Sequence, residues 1–224
     1  MTSSWGVGQV RMDVPQANAL YLPGTPGNYA ATPDSAANSI TGDIDIRAHL
    51  RPSTWNQSAY LVAKAGGAGL MSYGFALLSS GQLYAFRSTD GTNVTDYFST
   101  FSVGFAAYTR RFVRWTRVAA TGSSTFYTSR GGSSWTTLGG AVAGAAGAIF
   151  DSSAAIELGS AETGTTGFFT GYLFEVEIRN GVGGTIAQNF DATAVTKIGT
   201  RNPSTVSAGG PWTVNGSDWD WVLA

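Results

Sequence analysis

The chain is 224 residues long, carries 13 Lys and Arg against 14 Asp and Glu for a net charge of −1, and has no cysteine. Sparse, balanced charge gives no basic field for phosphate backbones or anionic membranes, and the lack of thiols removes disulfides, thiolate metal sites and cysteine nucleophiles. With 43% hydrophobic residues, 12% aromatic residues and 30 glycines, the composition suits one large unit of many short strands joined by tight turns.

In chain order, residues 1–16 show no alternation and read as an N-terminal arm carrying Trp5. Its opening lacks the basic-then-apolar pattern of a secretory leader, and no later run nears the roughly 20 apolar residues that span a bilayer. A protein of this kind acting outside a cell is expected to leave by lysis. Residues 33–38 give the one helical signal, a single turn with Thr32 as cap and Pro33 in the first turn. Residues 40–50 form the clearest strand: Ile40, Gly42, Ile44, Ile46, Ala48 and Leu50 alternate with Thr41, Asp43, Asp45, Arg47 and His49.

Shorter strands are predicted over 59–64, 72–78, 82–87, 94–100, 112–120, 124–128, 135–138 and 155–158. The segments 89–92 and 130–133 suit hairpin turns, because Gly and Asp tolerate positive φ. Over 168–180, Tyr172, Phe174, Val176 and Ile178 oppose Glu175, Glu177 and Arg179. Without sustained helical periodicity, the pattern favours an all-β, two-sheet antiparallel sandwich. For the Trp-rich end, residues 217–224, three arrangements fit: tucked onto the sandwich, docked on a neighbouring subunit, or free. The candidate assembly contacts are Trp5, Trp219, Trp221, Val222 and Leu223.

Several blocks carry a resemblance: Tyr21-Leu22-Pro23-Gly24, residues 27–37, Ile40-Thr41-Gly42-Asp43-Ile44-Asp45-Ile46-Arg47, Leu61-Val62-Ala63-Lys64, Phe126-Tyr127-Thr128-Ser129 with Trp135-Thr136-Thr137-Leu138-Gly139, Ile149-Phe150-Asp151-Ser152 and Trp212-Thr213-Val214-Asn215-Gly216. In order along residues 20–216, they resemble a laminin-G-like family recurrent in minor tail and other virion proteins of phages of actinobacterial hosts. The resemblance implies a concanavalin-A-like jelly roll over residues 17–216, with any binding on the concave sheet or rim loops. In the hairpin, Ser129-Arg130-Gly131-Gly132 stands where the family has an acidic turn, which argues against a cation there.

The chemistry can be weighed residue by residue. Glu175 and Glu177 share one strand face, the placement that a glycoside hydrolase pair needs, but the strand lacks the further acid of the related Glu-x-Asp-x-x-Glu pattern. Cross-strand pairing of Asp43, Asp45 and Arg47 with Glu175, Glu177 and Arg179 explains these charges without catalysis. His49, the sole histidine, reads as a solvated residue of that polar face, and no Gly-x-Ser-x-Gly elbow is present to accompany it. One histidine and no cysteine leave zinc without ligands. A structural calcium ion has only the scattered acids Asp34, Asp90, Asp96, Asp151 and Asp191 to call on, chiefly Asp34, Asp151 and Asp191, and capping and turn roles explain most of the five. Sugar binding needs exposed aromatic faces, for which Trp55, Tyr84, Tyr97, Tyr108 and Trp135 are candidates, although a hairpin Trp135 packed inward is the competing reading.

The expectation is a non-catalytic virion component, in a minor tail or capsid decoration, with no required cofactor and other virion proteins as partners. A host-glycan adhesion domain comes second and a glycoside hydrolase third.

Overall fold

The computed structural model describes residues 17–195, 205–206 and 211–224. Trp5 and the arm 1–16 lie outside the described residues. The strands are β1 (Asn18–Pro23), β2 (Tyr29–Thr32), β3 (Ile44–Pro52), β4 (Ala59–Ala65), β5 (Met71–Leu77), β6 (Gln82–Ser88), β7 (Val94–Ser102), β8 (Arg111–Arg117), β9 (Ser124–Ser129), β10 (Thr136–Thr137), β11 (Ile156–Leu158), β12 (Thr170–Asn180), β13 (Thr185–Asp191), β14 (Thr205–Val206), β15 (Trp212–Asn215) and β16 (Asp220–Leu223).

They form two antiparallel sheets of eight strands each. The first runs β10-β9-β8-β3-β12-β1-β16, with β13 on the later half of β12, and the second runs β14-β15-β2-β11-β4-β5-β6-β7. Alternation decides which side of each strand is buried. Ile44, Ile46, Ala48 and Leu50 of β3, Val113 and Trp115 of β8 and Val176 and Ile178 of β12 face inward and meet Leu61, Phe75, Leu77 and Leu83 of the second sheet. Phe75 stacks on Trp115 at 6.5 Å and on Phe126 at 6.4 Å, tying the layers together.

The C-terminus corrects the division made on sequence. Residues 220–223 are not a tail but a strand paired with β1, Leu20 opposite Trp221 and Tyr21 opposite Asp220. Trp219 and Trp221 are 3% and 0% exposed, and Phe190 stacks on Trp221 and edges Trp212, so the indoles fill one end of the core. Burial removes Trp219 and Trp221 as surface contacts. Val222 is half-buried and Leu223 is 49% exposed along the sheet edge. The helical signal shrinks to the 3-10 turn Ala36–Asn38, where Asn38 Oδ1 accepts the Ser35 N–H at 3.1 Å, so the cap is Ser35 rather than Thr32.

Charged groups also enter the interior. Arg87 and Arg117 are buried, and both donate to the Ala145 carbonyl, at 2.9 Å and 3.2 Å. Arg117 also donates to the Gly147 carbonyl and to the Tyr97 hydroxyl, pinning the Gly- and Ala-rich segment 139–148 onto the sandwich.

Candidate functional site

On the outward face of the first sheet, β12 and β3 pair so that Glu175 is opposite His49, Glu177 opposite Arg47 and Arg179 opposite Asp45. The charge pairing expected from alternation is therefore present. Glu177 accepts from Arg179 at 2.7 Å and has Arg47 at 3.7 Å. Asp45 is fully buried and takes a bidentate pair of 2.8 Å bonds from Arg114, two bonds from Arg47 and the Gly183 N–H at 3.0 Å. Burial pushes its carboxyl up, but these donors together outweigh it and hold the group below the usual carboxylate range.

Register slips between Leu173 and Glu175, a bulge that turns Phe174 as well as Glu175 to the outer side. Phe174 lies 4.8 Å from the His49 ring and 3.8 Å beneath the Arg110 guanidinium. His49 is not the solvated residue expected. It is 9% exposed, stacked on Phe112 at 3.7 Å, and its Nε2 accepts from Arg110 Nε at 2.8 Å. Burial, then the Arg110 charge, push its pKa down to about 3, so it stands neutral.

These residues surround a cavity of about 230 Å³ lined by Arg47, His49, Phe112, Trp135, Glu175 and Glu177, with residues 131–133 of the β9–β10 hairpin as its lip. Trp135 is half-buried here and does not pack inward, because Arg47 and Arg114 draw the indole to the outer face at 5.8 Å and 5.5 Å. Phe112 meets it edge-on. Glu175 is the group left without a partner: among the described residues its carboxylate accepts no hydrogen bond, and burial, Glu177 and Asp191 raise its pKa. The cavity thus joins an indole face to an unengaged carboxyl acceptor.

The other aromatic candidates scatter. Trp55 and Tyr97 are buried, at 1% and 0%, the former donating to the Thr109 carbonyl and the latter accepting from Arg117, so neither can stack on a ligand. Tyr108 is 59% exposed on the β7–β8 loop with a positive φ of 57°. Tyr84 is half-buried on the outer face of the second sheet. Sequence reasoning missed Phe112 as a cavity residue and Phe174 as the outer-face ring beside His49, and gave His49 a different setting. Among the acids considered for calcium, Asp34 is paired to the buried Lys64, and Asp191 caps the turn Ala192–Ala194 by accepting from Thr193. Among the described residues no three His, Cys, Asp or Glu side chains converge as a metal would require.

No known protein family and no curated protein sequence matches the chain. Solved structures do. A candidate carbohydrate-binding protein from Bacteroides ovatus superposes with a TM-score of 0.62 at 12% identity, over 93% of this chain and 61% of that one. The CBM40 domain of Ruminococcus gnavus IT-sialidase, bound to α2,3-sialyllactose, gives 0.54 at 11% identity over 75% and 91%. Mouse laminin α1 domains LG4-5 give 0.54 at 12% identity over 92% and 48%. The fold is a two-sheet jelly-roll sandwich of the laminin-G and concanavalin-A type.

Proposed function

We propose that the chain is a non-catalytic, glycan-binding jelly roll displayed on a bacteriophage particle. The observation that carries the binding reading is the cavity where the Trp135 indole faces the unengaged Glu175 carboxylate beside the Arg-braced Glu177. A pyranose offers an apolar ring face to the indole and hydroxyl donors to the carboxylate, the two surfaces present here. Carbohydrate-binding proteins among the structural neighbours support the same reading. Against hydrolysis, Glu177 is engaged by Arg179 at 2.7 Å with Arg47 at 3.7 Å, so the carboxylate pair that a hydrolase needs has one member tied into ion pairs. A glycan array probed with the wild type and Trp135→Ala tests the proposal. The expected result is saccharide binding that falls about tenfold or more in the variant, and equal binding by both proteins would sink it.

The virion half of the reading rests on the family resemblance along residues 20–216, with other virion proteins as partners and the particle surface, reached by host lysis, as the location. The strand edge at β16, where Leu223 stands exposed, is the contact we assign to assembly. Co-sedimentation of the protein with purified particles tests it, and a protein that never sediments with them contradicts it.

A further inference from the structure

The outer face of the second sheet carries a different kind of surface. Tyr60 of β4 is opposite Ala76 of β5, Ala76 opposite Tyr84 of β6, and Tyr84 opposite Phe98 of β7. One row therefore crosses four strands as Tyr, Ala, Tyr, Phe. Neighbouring strands lie about 4.8 Å apart, which puts the backbones of the two tyrosines about 9.6 Å apart, with the Ala76 methyl between them in the row. The two tyrosine rings are not parallel, since Phe86 meets Tyr60 at 82° and Tyr84 at 36°, so a six-membered ring entering the gap stacks on one tyrosine and meets the other at an angle.

The surroundings turn the gap into a slot. A cavity of about 350 Å³ lies there, lined by Ser58, Tyr60, Ala76, Leu78, Tyr84 and Thr166. Phe86 closes one end, packing on both tyrosines at 6.2 Å and 6.3 Å. It reaches across because Gly74 is opposite it: a Cβ on that glycine would come within 2.3 Å of the ring. The segment 159–168 forms a wall, fixed by buried Glu157, which accepts from the Ser160 hydroxyl and the Gly164 N–H at 2.9 Å each and from the Thr163 N–H. The Gly167 carbonyl in turn accepts the Tyr60 N–H at 2.9 Å. Phe98, 46% exposed and 5.3 Å from Tyr84, extends the apolar surface outward.

Its polar groups are hydroxyls and acids. Tyr84 Oη donates to Asp96 Oδ1 at 2.7 Å, leaving the other carboxylate oxygen to accept, and the Tyr60 hydroxyl makes no hydrogen bond among the described residues. Burial, with Glu162 and Asp96 nearby, keeps the Tyr60 hydroxyl protonated. The lining holds no Lys, Arg or His, so the acidic rim disfavours an anionic sugar.

We infer that this slot is a second saccharide site, taking one neutral pyranose stacked on Tyr84 over the Ala76 methyl, with Tyr60 at its edge and its hydroxyls on Asp96 and the Tyr60 oxygen. It is independent of the Trp135 cavity, which lies on the other sheet, and together the two make the sandwich bivalent.

Saturation-transfer NMR with the methyl pyranosides of glucose, galactose and mannose tests it on the wild type, Ala76→Leu, Tyr84→Thr and Trp135→Ala. Ala76→Leu fills the gap and Tyr84→Thr removes a wall, so a fault in folding of one leaves the other to report. The expected result is transfer to at least one of the three sugars that falls about tenfold in both slot variants and persists in Trp135→Ala. Transfer to none of the three, or transfer unchanged in the slot variants, overturns the inference. Loss in Trp135→Ala alone also overturns it, and places the sugar in the first cavity, so the two readings fail separately.

Discussion

The two outer faces of the sandwich solve the same problem in opposite ways. On the first sheet, long charged side chains cover the strands, and the order comes from Asp45 and Glu177 holding Arg47, Arg114 and Arg179 in place. On the second, small residues, Ala63, Gly74 and Ala76, let aromatic rings lie down or stand apart. A cavity braced by charge should respond to charge substitutions and pH, whereas one shaped by side-chain volume should respond to size. That difference makes the faces separable by experiment.

The largest effect is expected at Asp45. Replacing it with Ala leaves Arg114, Arg47 and the Gly183 N–H without their acceptor, and breaking a buried ion network costs about 3 kcal/mol or more. Thermal unfolding should show the Tm falling by about 6–12 °C. Trp135→Ala should leave Tm within about 2 °C while saccharide affinity drops about tenfold, since the indole is half-buried on the surface. A Tm loss as large as that of Asp45→Ala would mean that Trp135 is a structural prop.

His49 supplies a pH-dependent contrast. Its folded pKa is pushed down to about 3 while the unfolded chain titrates near 6.5, so the unfolded state holds the extra proton between those values. Stability is then fully present above about pH 6.5 and falls as pH drops toward 3. Urea unfolding over that range should show a shallower acid limb in His49→Gln, by about 2–3 kcal/mol near pH 4.5. Tyr84→Thr, on the other face, should leave the acid limb as it is in the wild type.

The smallest effect belongs to Glu175. Burial and its acidic neighbours disfavour its charge, so Glu175→Gln should raise stability by roughly 0.5 kcal/mol, about 1–2 °C in Tm, while weakening saccharide binding. Opposite signs in the two measurements would mark a residue kept for a ligand rather than for the fold.

Alternation made the core face of the central strands legible, with Ile44, Ile46 and Leu50 of β3 and Val176 and Ile178 of β12 turned inward, and their charge pairs followed from the expected pairing. The other face is less wet than alternation suggests, because Asp45, His49 and Phe174 are buried among their neighbours there. The sequence was less open at the ends. Asp218-Trp219-Asp220-Trp221 alternates as a strand should, yet its length is too short to separate a strand from a tail without knowing that β1 offers an edge. In β7 the reading failed for a definite reason: Phe98 faces out while Tyr97 faces in to meet Arg117, and both neighbours are aromatic. Trp135 was identifiable as a residue but not as part of a cavity, because Phe112 and Glu175 reach it only through long-range pairing and the slip at Phe174. The Tyr60–Ala76–Tyr84 row depends likewise on the register of three hairpin-linked strands.

The most direct test of a saccharide site at Trp135 is to follow the indole N–H signals of the tryptophans by NMR while titrating a saccharide selected on the array. The signal of Trp135 should shift in a saturable way while those of buried Trp55, Trp115 and Trp212 stay fixed. A saturable response elsewhere with Trp135 unmoved would contradict the assignment.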